Sequence, residues 1–220
     1  MKVQAVSSQA TRAVDPERTA VSRADLRGAI GRAYTKVTGK AASAQVLDTL
    51  TAHASLETGS GSAMYNFNFG GIKGHSPTGE TAKCRTKEVI DGKEIEIRDG
   101  FRAYHSLDDG AVDYVKLMTG RFNGAVKQAE RGDIDGFAHA LKQANYYTAD
   151  EAKYASALHG LSGIADEGAL TKHASSSSFS LSNANNVAGS GNYADSVELG
   201  RVLDAIARHP MTIPDEDEDA

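Results

Sequence analysis

The sequence predicts an α+β protein, mostly helical, with one small β-hairpin inserted between helices. Three observations carry that prediction. Apolar residues recur at three- and four-residue spacing on either side of the middle of the chain. One stretch between them, CRTKEVI-DG-KEIEIRD, alternates instead about an Asp-Gly pair, the strongest short hairpin signal. No internal repeat interrupts this order, which excludes a solenoid. At 220 residues, 40% of them apolar, the chain can bury one sizeable core and still carry tails. That composition excludes collagen-like and fully disordered classes, and the single thiol, Cys84, cannot close a disulfide within the chain.

Residues 1–21 are polar, small and aperiodic, and read as a flexible leader. Residues 22–165 form the expected folded domain. Ser22 and Asp25 make a capping pair, Leu26, Ile30, Ala33 and Val37 share a face, and Gly39 stops the helix. A second helix starts at Ser43, runs through Val46, Leu50, Ala54 and Leu56, and ends at Gly59. A Gly-, Asn- and Ser-rich loop leads from there to about residue 80, where the hairpin begins.

Helices resume at Ser106, with Val112, Val115 and Met118 inward. They continue over 123–131 and 133–144, and in one opened by Thr148 with Glu151 three residues on. Residues 166–192 read as a Ser/Asn/Gly-rich linker, 193–208 as an amphipathic helix, and 209–220 as an acidic tail. The net charge of −5 belongs to that tail. Without Asp215, Glu216, Asp217, Glu218 and Asp219, 24 acidic residues face 24 basic ones. A neutral body offers no footprint for nucleic acid, so none is expected as a partner. No apolar run approaches the ~18 residues of a membrane span.

Glu57 is the first candidate for chemistry. It sits in the last turn of the second helix, beside a buried-looking stretch. Burial and the negative end of the helix dipole both disfavour its charged form, which suits a general acid. An exposed last-turn glutamate is the plainer alternative. The loop MYNFNFGGIKG then interleaves aromatics with asparagines before a tight Gly-Gly turn. Amides pair with sugar hydroxyl or acetamido groups and rings stack on apolar sugar faces, although a structural loop would use the same residues.

Four segments in register, LETGSG, NFGGIKG, FRAYHSLDDGAVDYVKLM and YYTADEAKYASAL, resemble the glucosaminidase-type peptidoglycan hydrolases of glycoside hydrolase family 73, among them the flagellar rod-associated hydrolase. The resemblance covers roughly residues 43–162. It implies a lysozyme-like fold, cleavage of the bacterial cell-wall glycan strand, and Glu57 as general acid. Tyr147 is expected across the cleft near the acid, and the chemistry of their amide and rings makes Tyr65, Phe67, Asn68 and Tyr146 the expected substrate-binding residues. Three departures stand out. Gly70 replaces a bulky residue and would widen the groove, the family's Y-A-T-D-P-x-Y becomes YTADEAKY, which blurs the placing of Tyr147 and Tyr154, and Trp is wholly absent.

A second carboxylate is usual in glycoside hydrolysis. With Asp91-Gly92 as a two-residue loop, Ile90 faces Lys93, Glu88 faces Ile95 and Thr86 faces Ile97, so Glu88 shares the apolar side of the ribbon. Glu96 on the other side faces Lys87. The resembling family places a second catalytic glutamate about thirteen residues before its F-R-x-Y motif, and that count leads to Glu88. The substrate's own acetamido group is the alternative.

His53 lies one helical turn before Glu57 and shares its face, as a tuner of the acid or as a core histidine. His75, His105, His139, His159, His173 and His209 are scattered without metal-ligand spacing, so neither metal nor cofactor is expected. Lys73 and Arg102 read as peptide-carboxylate partners or solvated charges.

The rival enzyme is a lytic transglycosylase or muramidase on the same strand; the rival of another class is a wall-binding or assembly module. The implied substrate lies in the periplasm or cell wall, yet MKVQAVSSQATRAV lacks the apolar core of a secretory signal. The expectation is export by a flagellar or contact-dependent secretion apparatus, or release by a phage lysis system. A secreted toxin would also have a cognate inhibitor protein as partner.

Overall fold

A computed structural model describes residues 11–90 and 93–162, with the backbone alone over 85–90 and 93–97. The first ten residues, the expected linker, the last amphipathic helix and the acidic tail lie outside the described residues. The order is β1 (Arg12–Val14), α1 (Arg23–Thr38), α2 (Ala44–Thr58), β2 (Glu80–Ile90), β3 (Lys93–Arg102), α3 (Leu107–Thr119), α4 (Asn123–Ala129), α5 (Ile134–Gln143) and α6 (Glu151–Ser162). The chain is α+β and mostly helical, with the hairpin between α2 and α3.

Local chemistry sets the first helices. The Ser22 hydroxyl accepts from Asp25 N–H and the Asp25 carboxylate accepts from Ser22 N–H, a complete capping box. Ser43 accepts from Val46 N–H to open α2. Gly39 and Gly59 close the two helices in left-handed conformations, at φ 75° and 56°.

α1 buries one stripe, Leu26, Ala29, Ile30 and Ala33. α2 is buried almost all round and packs on α1, α4 and α6. Its threonines are accommodated there because Thr51 donates to Leu47 O and Thr58 to Ala54 O. Ser106 caps α3 and Asp133 caps α5. α6 starts later than the sequence predicts. It opens at Glu151, with Asp150 accepting from Lys153 N–H, while Thr148 O accepts from Lys142 Nζ.

The hairpin has the predicted register, with Ile90 opposite Lys93, Glu88 opposite Ile95, Thr86 opposite Ile97 and Lys87 opposite Glu96. It is longer than predicted because the pairing continues to Thr81–Arg102. A third strand joins it. β1 runs parallel to β2, with Ala13 opposite Thr81.

The expectation of a flexible leader is corrected over its second half. Residues 11–21, β1 among them, form a strap held by long-range bonds. Arg12 N–H donates to Gly79 O, Asn66 N–H to Glu17 O, Thr19 N–H to Met64 O and Val21 N–H to Gly61 O. The Asn66 amide closes the strap from the other side, accepting from Glu17 N–H and donating to Asp15 O. Gly61 is obligatory at this crossing: its φ is +86°, and a Cβ there would sit 2.5 Å from Val21 O. The partners of the Asn66 amide lie 49 and 51 residues away, so no local pattern announces them.

The core gathers Leu26, Ile30, Leu50, Leu56, Phe69, Tyr114, Met118, Phe122, Phe137 and Tyr154. No helix among the described residues is long and apolar enough to cross a membrane.

Candidate active site

Glu57 projects from the last turn of α2 into a nest of aromatic side chains. Its side chain is only 8% exposed. Two groups stand at its inner oxygen, the Tyr154 hydroxyl, which donates to Oε1 at 3.0 Å, and His53 Nε2 at 3.7 Å. Burial pushes the carboxyl up to about 8, against the smaller opposite pull of the Tyr154 bond. The negative, C-terminal end of α2 acts in the same direction as burial. The acid is therefore protonated at neutral pH, the state a general acid needs.

The surrounding rings make the nest dry. Tyr154 on α6 is fully buried and stacks on Tyr147 with centroids 3.8 Å apart. His53 is 0% exposed, edge-on to Phe137 and Tyr146 and stacked with Tyr114. Burial drives its imidazole down to about 3, so it is neutral across the working range.

The structure redistributes the roles that the sequence suggests. The tyrosine on the acid is Tyr154, not Tyr147. The Tyr147 hydroxyl is committed to Ala138 O at 3.0 Å, and its ring reaches the site only by stacking on Tyr154. α6 decides this by turning Tyr154 inward, toward α2.

Asn68 is also corrected, since its amide is not free for a sugar. Nδ2 donates to Ile72 O and Arg102 O, and Oδ1 accepts from Gly70 N–H and Ile72 N–H. Tyr146 is likewise committed: it is 4% exposed, packs on Phe122 and His53, and donates to Gly70 O. The same hydroxyl fills the space that Gly70 would have left open, lying 2.8 Å from where a Cβ would stand, so the groove is not widened there.

Tyr65 keeps a surface role. It is 46% exposed, the one large apolar side chain so exposed among the described residues. Phe67 is half-buried, at φ +53°, with its N–H donating to Thr19 Oγ1 on the strap. It lines a hollow of about 680 Å³ between the strap, Glu80, Tyr104 and His105. The hairpin register puts Glu88 opposite Ile95, but its side chain lies outside the described residues.

Neither Lys73 nor Arg102 is a solvated charge. Lys73 pairs with Asp99, and Arg102 with Asp113 at 3.0 Å. Tyr104 also donates to Asp113, at 2.6 Å, and together they brace the end of β3 against α3. No cluster of three His, Cys, Asp or Glu side chains that could hold a metal occurs among the described residues.

Comparison with known proteins places the chain in a family. The family model described as glucosaminidase, mannosyl-glycoprotein endo-beta-N-acetylglucosaminidase, matches residues 38–198. No curated protein matches the chain. Among solved structures, a peptidoglycan hydrolase mutant from Sphingomonas sp. A1 is 28% identical over 65% of this chain and 94% of its own, with a TM-score of 0.47. The catalytic domain of the autolysin Auto from Listeria monocytogenes is 24% identical over 63% and 81%, with a TM-score of 0.48. A C-terminally truncated glycoside hydrolase domain of FlgJ from Salmonella typhimurium is 23% identical over 64% and 95%, with a TM-score of 0.43. The family match runs over well more than half of the sequence, Glu57 and Tyr154 included, so the chain belongs to the glucosaminidase family and is a glycoside hydrolase.

Proposed function

We propose that this enzyme cleaves the β-1,4 glycan strand of bacterial peptidoglycan as an endo-β-N-acetylglucosaminidase, with Glu57 as the general acid. The observation that carries the reading is a carboxyl held protonated by a dry aromatic nest, with one oxygen anchored by Tyr154 and the side chain still 8% exposed. The four sequence segments and the family match supply the substrate class.

Glu57 gives its proton to the glycosidic oxygen as the bond to the N-acetylglucosamine anomeric carbon breaks through an oxocarbenium-like state. Tyr154 then stabilises the carboxylate left behind. Glu88, carried on the hairpin, takes the proton of the water that attacks that carbon. Tyr65 and Phe67 present ring faces to the sugar. The enzyme acts in the periplasm or cell wall, reached through a secretion apparatus or a lysis system, and a cognate inhibitor protein protects a producing cell.

The test is digestion of purified sacculi with identification of the new chain ends. Reducing N-acetylglucosamine ends are expected. Reducing muramic ends would make it a muramidase, and anhydro-muramyl ends a lytic transglycosylase. Glu57→Gln should bind sacculi and lose at least ~10²–10⁴-fold in rate, the usual share of general-acid catalysis. Undiminished clearing by that variant refutes the assignment.

A further inference from the structure

Phe67 stands in a backbone conformation that its side chain disfavours. Asn66 and Phe67 are left-handed in succession, at φ +46° and +53°. Asparagine tolerates that region through its short polar side chain. A bulky ring does not, and Phe67 is the one aromatic residue found there among the described residues. The surrounding chain uses glycine freely, at positions 61, 70, 71 and 74. A glycine at 67 would relieve the strain, so the ring is kept for what it does rather than for the path of the chain.

Strain of this kind persists only where the surroundings over-determine it. Here the strap supplies most of the restraint. Asn66 N–H donates to Glu17 O, the Asn66 amide bonds Glu17 N–H and Asp15 O, and Arg18 pairs with Tyr65 in an isolated antiparallel bridge. Phe67 is fixed by a side chain, its N–H donating to Thr19 Oγ1 at 2.8 Å. On the far side Tyr104 N–H donates to Asn66 O, and Gly110 on α3 makes room for Phe67 O, which a Cβ there would meet at 2.0 Å. Residues 66 and 67 are thus clamped between the strap and α3. The Phe67 ring lies half-buried along the hollow, with Tyr65 exposed two residues before it. The strap precedes residue 38, where the family match begins.

We propose that Thr19 is a positioning residue for Phe67, and that the strap aims this ring at the sugar by holding residues 66 and 67 left-handed. This rests on the reading of Phe67 as a sugar-binding ring. Without the Thr19 acceptor, Phe67 N–H loses its partner and the residue relaxes toward the ordinary right-handed or extended regions, which swings the ring off its present face.

The first measurement needs no turnover. In the full chain the Phe67 amide should exchange slowly with solvent, and in Thr19→Val, which keeps the shape of the side chain, several-fold faster. Equal rates in the two overturn the proposal. Kinetics on soluble glycan fragments give the second. Thr19→Val should raise KM by roughly 2–10-fold, the size of one aromatic contact, with kcat unchanged. Thr19→Ser keeps the acceptor and should restore KM. Phe67→Ala should raise KM to a similar extent alone and add little in the Thr19→Val background, because the strap acts through that ring. An unmoved KM in Thr19→Val, an equal rise in Thr19→Ser, or fully additive rises in the double variant overturn the proposal. Phe67→Ala with a wild-type KM removes the sugar-binding reading and the proposal with it, a different failure visible with the strap intact.

Discussion

Glu57 and Asn68 are two buried polar side chains, one just before the Gly-rich loop and one within it, and they are treated in opposite ways. Asn68 uses both donors and both acceptor sites of its amide on the backbone of residues 70, 72 and 102. Glu57 accepts one hydrogen bond, from Tyr154, and faces an orphaned imidazole at a distance too great to bond. A fully satisfied buried group stabilises the fold and has nothing left for a ligand. An under-satisfied one stores an unmet interaction that a substrate can complete. By that criterion Asn68 builds the loop and Glu57 is the one with capacity left for a ligand, although both belong to segments that resemble one family of hydrolases.

Breaking the satisfied partner should give the larger loss of stability. Asn68→Ala strands Gly70 N–H, Ile72 N–H and two carbonyls, each worth about 1–3 kcal/mol if left buried and unpaired. Partial relaxation leaves an expected loss of roughly 2–5 kcal/mol in urea denaturation. A loss under about 0.5 kcal/mol would mean that the loop does not depend on this amide, and the contrast would dissolve.

The same cut at Glu57 should act in the other direction. Its folded-state pKa, about 8, lies above the value of about 4.3 for a free glutamate. The folded state therefore holds the proton that the unfolded chain releases, and stability falls as pH rises from about 4.3 toward 8. Glu57→Gln keeps the size and removes the charge, so it should be more stable than wild type by roughly 1–3 kcal/mol at pH 7, and equal to it near pH 4. His53 has the opposite sign, since its folded value is depressed to about 3 and its contribution is lost as pH falls below about 6.5. Thermal melts of both forms from pH 4 to 8 check this, and a destabilised Glu57→Gln at pH 7 would contradict a neutral, buried acid.

Tyr65 sharpens the comparison with the smallest effect. Its ring is an unmet apolar surface rather than an unmet hydrogen bond. Tyr65→Ala should leave stability within about 0.5 kcal/mol, as for most exposed positions. It should raise KM on soluble glycan fragments by a few-fold at unchanged kcat, in line with about 0.5–1.5 kcal/mol for one aromatic contact. Binding that ignores this change would take Tyr65 out of the substrate path.

What could be read in the sequence was chemistry that acts within a few residues. Ser22 with Asp25, Ser43, Gly39 and Gly59 set helix ends by bonds of three to five residues, and the alternation on either side of an Asp-Gly pair foretold the hairpin register. The burial of Glu57 was legible for the same reason, as a glutamate closing a helix whose preceding residues are apolar. Tertiary structure decided the rest, because the partners are far apart along the chain. Whether Tyr147 or Tyr154 meets the acid depends on which side of α6 faces α2, and the amides of Asn66 and Asn68 are committed to carbonyls 51 and 34 residues away. Burial is a property of the assembled core, and burial is the main cause that lifts Glu57 and silences His53; a string of residues names the groups, while the surrounding low-dielectric packing sets their charge.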